Sequence, residues 1–230
     1  MIRIPAALLA VIAGVALVAG CTGNGGAPAP PRGIPVITAT APPPLQPVSV
    51  DIPQIGVHST LIPLGLLTSG PRKGAVDEPD VNHPQQAGYF CVATGPGVPP
   101  PACSSGVAPG QLGPAIIIGH VDGSPATSGG AHQLGVFFRL HELRGGDKIS
   151  VTRTDGSVVT FAVYRSIQVA KTGFPSQEVY GNTATPELRL ITCTGRFVGG
   201  ELGYNDNIVV FARQVSVTPP SPLPGPVVTP

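Results

Sequence analysis

A chain of 230 residues, 42% of them hydrophobic, is long enough for one substantial core and leaves little room for a second. A formal net charge of +1, with only 11% charged residues, excludes the broad basic surface that holds nucleic acid and the acidic field that draws a cationic partner. The 31 glycines and 29 prolines disfavour long helices, so the folded body is expected to be mainly β.

In chain order, Met1 to Pro5 carries one charge, Arg3, and is followed by an unbroken run of apolar residues and glycine from Ala6 to Val18. A membrane-spanning helix needs about 20 apolar residues, so this shorter run reads as the core of a signal peptide over residues 1–20. Val18-Ala19-Gly20-Cys21 has the small residues of a lipobox. The pattern is similar to a bacterial lipoprotein signal, in which Cys21 is acylated and becomes the mature N-terminus; an ordinary cleaved signal is the alternative. Either way the folded part is expected outside the cytoplasm, anchored in the cell envelope or secreted.

Residues 21–47 are rich in Gly, Ala, Pro and Thr and read as an extended tether. A domain is expected over residues 48–217. Its strand candidates are Val48 to Ile52, Pro53 to Val57, Ala115 to Ile118, Lys148 to Arg153, Val158 to Val169, Leu188 to Thr192 and Ile208 to Arg213. Gly145-Gly146-Asp147 and Asp155-Gly156 are turn signals, the second a good hairpin turn. Only Phe137 to Arg144 and Ser176 to Tyr180 have room for a turn or two of helix. Many short strands in one domain point to a barrel or sandwich. Residues 218–230 are proline-rich and are expected to be a disordered tail.

Export changes how the cysteines are read, because disulfides persist in oxidising compartments. With Cys21 assigned to lipid, Cys91 and Cys103 bracket a Gly- and Pro-rich loop that a disulfide would close, stabilising by roughly 3 kcal/mol in the chain-entropy model. Two free thiols are the plainer alternative. No second pair of ligands with zinc spacing lies nearby, so no metal is expected. Cys193 is left over at the end of the apolar run Leu188 to Thr192. An odd exported thiol is a candidate nucleophile, although a lone strand cysteine also serves as a small core residue.

His120 stands just past the apolar strand Ala115 to Ile118 and Gly119, where a strand meets a loop. A histidine there can be structural. Paired with a leftover cysteine at another strand end, it supplies the proton chemistry that a thiolate nucleophile needs.

Four segments occur in order: Gly119-His120-Val121-Asp122; Val136 to Leu140 followed by Leu143 to Asp147; Leu188 to Gly195 around Cys193; and Tyr204 to Phe211. Together with Ile52 to Gly56 and Phe174 to Gly181, they resemble the sortase family over about Val48 to Val217, with the nearest likeness to actinobacterial class F sortases. The resemblance implies a closed eight-stranded β-barrel with one or two short helices, and a cysteine, a histidine and an arginine around a groove. Sortases cleave a sorting signal such as Leu-Pro-x-Thr-Gly after the threonine, hold the acyl group on cysteine and pass it to an amine. Cys193 matches the nucleophile and His120 the histidine.

The arginine departs from the pattern: Tyr204-Asn205-Asp206-Asn207 contains none. Arg196 is the nearest substitute in sequence, with a solvated loop charge as its plainer reading, and Arg139 is the next. Asn205 and Asn207 alternate along the strand and are candidate neutral donors for an oxyanion. Asp122 either orients the imidazole or caps the following turn.

The expected function is therefore a cysteine transpeptidase, a peptidase-like acyltransferase, without metal or organic cofactor. Its donors would be secreted proteins bearing C-terminal sorting signals, and its acceptor an amine such as a peptidoglycan precursor. An L,D-transpeptidase or papain-type enzyme lacks its markers here: neither a Ser-His-Gly-Cys run nor a cysteine near the mature N-terminus of the papain kind is present. The rival from another class is a degenerate barrel that binds peptide or cell-wall material without turnover.

Overall fold

The computed structural model describes residues 45–70, 72–93, 103–123, 133–200 and 203–221. The expected signal peptide, Cys21, nearly all of the tether and most of the proline-rich tail lie outside the described residues. No described helix is long and apolar enough to cross a membrane.

The described strands are β1 (Pro47–Ile52), β2 (Val57–Leu64), β3 (Ala87–Phe90), β4 (Val92–Ala93), β5 (Cys103–Ser105), β6 (Gly113–Gly119), β7 (Lys148–Arg153), β8 (Val158–Ala170), β9 (Pro186–Gly199) and β10 (Gly203–Thr218). The one described α-helix, α1, spans Ser176–Tyr180. Among the described residues, eight strands close a barrel in the order β1-β2-β3-β6-β9-β10-β8-β7, and β4 pairs with β5 apart from it. The expected mainly β closed barrel with short helices is the fold observed. Closure removes the unpaired sheet edges that an open sheet would expose.

Two readings need correction. Pro53 to Ile55 is a 3-10 turn, not part of a strand, and Gly56 closes it in the left-handed region at φ 70°. Pro53 sets the turn because its fixed φ suits a first helical position. The barrel also begins earlier than residue 48: Gln46 is buried and its carbonyl accepts from the Thr154 amide, and β1 starts at Pro47.

The interior is filled by alternate residues of each strand, as the two-residue side-chain period requires. Val50 and Ile52 of β1, Ile117 of β6, Ile149 and Val151 of β7, Phe161 of β8, Leu188 and Leu190 of β9 and Val210 of β10 share one buried cluster with Phe137 and Leu140. The residues between them on β6, β9 and β10 face outward. There Ile116, Ile191, Val209 and Phe211 form a second cluster with Val179 of α1, flanked by Phe90, Ile118, Ile167 and Phe174. The unbroken apolar runs of these strands follow from burial on both faces.

Candidate active site

Strands β8, β10, β9 and β6 lie side by side in that order. Their register aligns Ile167, Val209, Ile191 and Ile118 in a row across the outer face of the barrel, and all four belong to the outer apolar cluster. Residues two positions further share that face. Val169, Asn207 and Cys193 are therefore aligned in the next row, and His120 follows Ile118 just past the end of β6. Two side chains distant in sequence are brought together by parallel pairing of the strands that carry them. His120 and Cys193 line one cavity of about 620 Å³.

Gly119 fixes where the histidine leaves the strand. A Cβ there would fall 2.5 Å from Val136 Cγ1 and 2.7 Å from Phe137 Cδ2, so only glycine lets this backbone lie against the core. His120 Nε2 is 2.6 Å from the Pro79 carbonyl oxygen. A carbonyl only accepts, so Nε2 carries the proton and donates, which leaves Nδ1 as the ring nitrogen not engaged by Pro79.

Cys193 is the free cysteine among the described residues and is partly buried. Burial pushes its thiol above the ordinary value; the nearby Lys171 ammonium pulls it down, Glu78 pushes it up, and Arg72 pulls it down. Burial prevails, so the resting sulfur is held as a thiol. Arg72 and Glu78 come from the segment between β2 and β3 and form an ion pair at 2.8 Å on the cavity wall. Burial raises the Glu78 carboxyl, but the hydrogen bond and charge of Arg72, together with the charges of His120 and Lys171, hold the group below its ordinary value. The lining also includes the apolar side chains of Leu66, Phe90, Phe174 and Ile191. A pocket lined by both apolar side chains and converging charges suits a peptide with an apolar side chain and a polar backbone.

The remaining sequence candidates are placed as follows. Arg196 is exposed and does not line the cavity; its backbone amide donates to Asn205 Oδ1 at 2.6 Å. A bulge in β9 turns the strand here, with Gly195 at φ 82°. Asn205 is thereby occupied on the bulge, whereas Asn207 lies opposite Cys193 and lines the cavity. Arg139 is exposed and pairs with Glu142 at 2.7 Å. The Asp122 carboxylate accepts from the Tyr204 hydroxyl, and Asp122 bridges to Leu134. Burial, the hydrogen bond to Asp122 and its charge push Tyr204 up to about 12. Cys91 and Cys103 are joined by a disulfide. Among the described residues no three His, Cys, Asp or Glu are grouped to hold a metal ion.

Among the cavity residues that the sequence reading did not single out are Lys171, Arg72 and Glu78. Arg72 and Glu78 sit in a Gly- and Pro-rich connection with no periodic pattern. Lys171 carried a signal that counting by twos along β8 exposes, since Val169 shares the row of Asn207 and Cys193 and Lys171 lies two residues beyond it.

A model of the sortase domain family matches residues 101–215. No curated protein matches the chain. Similar solved structures include the sortase D5 transpeptidase of Clostridium perfringens, at 18% identity over 74% of this chain and 79% of that one, with a TM-score of 0.46. Sortase A of Listeria monocytogenes is similar at 15% identity over 76% of this chain and 91% of that one, TM-score 0.49. A lid mutant of sortase A from Corynebacterium diphtheriae is similar at 20% identity over 78% and 73%, TM-score 0.48.

Proposed function

The chain belongs to the sortase family, and from that premise we propose that it is a class F sortase-type transpeptidase in which Cys193 is the nucleophile and His120 the acid/base group. The substrate is an LPXTG-like sorting signal at the C-terminus of a secreted protein, and the acceptor is an amine of the cell envelope. The enzyme acts outside the cytoplasm, held at the membrane through Cys21.

The first half-reaction transfers the thiol proton of Cys193 to His120, giving thiolate and imidazolium. The thiolate attacks the carbonyl carbon of the Thr-Gly bond, forming C–S while the carbonyl π pair moves to oxygen. Collapse breaks C–N, and the imidazolium protonates the departing amine, which is otherwise a very poor leaving group. In the second half the acceptor amine attacks the thioester, gives its proton to His120, and the thiolate leaves. One amide is broken and one is formed, with no redox change. The apolar lining of Leu66, Phe90, Phe174 and Ile191 suits the Leu-Pro end of such a signal. For the cation that faces the oxyanion, the geometry favours groups on the cavity wall over Arg196, which is exposed outside it.

The observation that carries this reading is the placement of Cys193 and His120 two residues past the paired Ile118 and Ile191, on one face and in one cavity. The test is product analysis of sorting-signal peptides incubated with the enzyme, with and without an amine acceptor. The expected result is an amide product that needs the acceptor and is abolished in Cys193→Ala and His120→Ala. Peptide binding without any product would support the binding-only barrel instead.

A further inference from the structure

The site just assigned holds Cys193 and His120 but places a neutral residue beside the sulfur. Asn207 is aligned directly with Cys193 on one side and Val169 on the other. Two residues beyond Val169, β8 gives way to a 3-10 turn over Lys171–Gly173, and the partly buried Lys171 lines the same cavity. Its positive charge favours ionisation of the Cys193 sulfur in that cavity. An amide at 207 is short and uncharged, so a long side chain two positions on along the neighbouring strand can pass over it. We propose that Lys171 is a catalytic residue of this enzyme, the ammonium that stabilises the Cys193 thiolate and then the oxyanion formed when that thiolate attacks.

The chemistry suits the position. An ammonium carries three donors and no acceptor, so one N–H can face the thiolate while another serves an oxygen developing beside it. Its full charge acts in a partly buried cavity, where attraction to a thiolate is less screened than in open water. Other charged and polar groups near the sulfur have roles of their own. Arg72 is committed to Glu78, Glu78 opposes ionisation of the thiol, and the Tyr204 hydroxyl is committed to Asp122. His120, on the neighbouring strand end, is the proton carrier of the reading on which this inference rests.

The test separates the two. Alkylation of Cys193 in the full-length chain by iodoacetamide, followed by intact mass against pH with Cys193→Ala as the blank, reports the thiolate without any substrate. Removing the ammonium in Lys171→Met moves the inflection upward by about one pH unit or more, as loss of an adjacent opposite charge requires, and Lys171→Arg moves it back. Lys171→Gln keeps a polar side chain without the charge and follows Met, which covers the case where Met disturbs the turn. With a peptide that acylates the wild type, Lys171→Met slows acylation by about 100-fold, the scale of losing one oxyanion donor. An alkylation profile unchanged in both Lys171→Met and Lys171→Gln overturns the role of Lys171 while leaving Cys193 as nucleophile. A wild type that is never acylated overturns the transpeptidase reading, while the alkylation profiles still decide whether Lys171 governs the thiol.

Discussion

Ile118 and Ile191 are paired across the parallel strands β6 and β9, and the two residues beyond them on the same face are His120 and Cys193. The site is thus set by strand register. A slip of one residue in this pairing would send one of the two side chains to the barrel interior.

The first prediction concerns what holds that register in place. Gly119→Ala forces a methyl into contact with Val136 and the fully buried Phe137, an overpacking that costs about 1–3 kcal/mol. Thermal unfolding is expected to drop by several degrees, roughly 2–4 °C per kcal/mol for a domain of this size. Because the clash is at the residue before His120, amide formation is expected to fall further than stability explains.

A second prediction follows from Glu78, whose carboxylate faces the sulfur from the segment between β2 and β3. Glu78→Gln removes a negative charge that opposes the thiolate and releases Arg72 from its ion pair. Both changes favour ionised sulfur. The alkylation inflection of Cys193 is expected at lower pH than in the wild type, opposite in sign to the effect of Lys171→Met; a shift upward contradicts this placement of charges.

The third prediction concerns the outer face below the site. Glu187 and Arg189 are 6% and 3% exposed and pair at 2.7 Å, with the Tyr164 hydroxyl donating to Glu187 at 2.8 Å and Arg189 stacked over Phe211. Burial raises the Glu187 carboxyl, but the hydrogen bonds from Tyr164 and Arg189 with the charges of Arg189 and Arg213 hold it below its ordinary value. Since its folded value lies below the unfolded one, its stabilisation is present above about pH 4.3 and is lost as pH falls through the folded value. Glu187→Gln leaves Arg189 buried without its anion and is expected to cost about 3–5 kcal/mol at neutral pH. Denaturant titration should show the gap between variant and wild type closing in acid.

The disulfide gives a fourth. Replacing Cys91 and Cys103 by serine opens the loop between β4 and β5, and unfolding is expected at lower denaturant by about 3 kcal/mol. The alkylation profile of Cys193 is expected to stay where it was.

Much of the barrel was legible because its strands alternate or run apolar between clear turns: β7 matches the sequence reading end to end, as does α1. β9 and β10 run well past their apolar cores because pairing continues through the polar residues around Cys193 and Asn207, where hydropathy stops signalling a strand. Most of β2 and all of β3 were hidden because Pro63 and Gly88 interrupt them, and both are tolerated through tertiary pairing. The pairing of Cys193 with His120 was legible as two leftover groups at strand ends. The cation was not. Arg196 is close in sequence, but the bulge at Gly195 turns the strand there, while Lys171 follows the end of β8, which is joined to β9 only through β10.

The most direct measurement is the intact mass of the full-length enzyme after brief incubation with sorting-signal peptides in the absence of an amine. A mass increase equal to the acyl fragment ending in threonine, released by hydroxylamine and absent from Cys193→Ala, is the predicted result. A wild type that binds these peptides yet never gains that mass, or an adduct that survives Cys193→Ala, contradicts the assignment of Cys193 as the nucleophile.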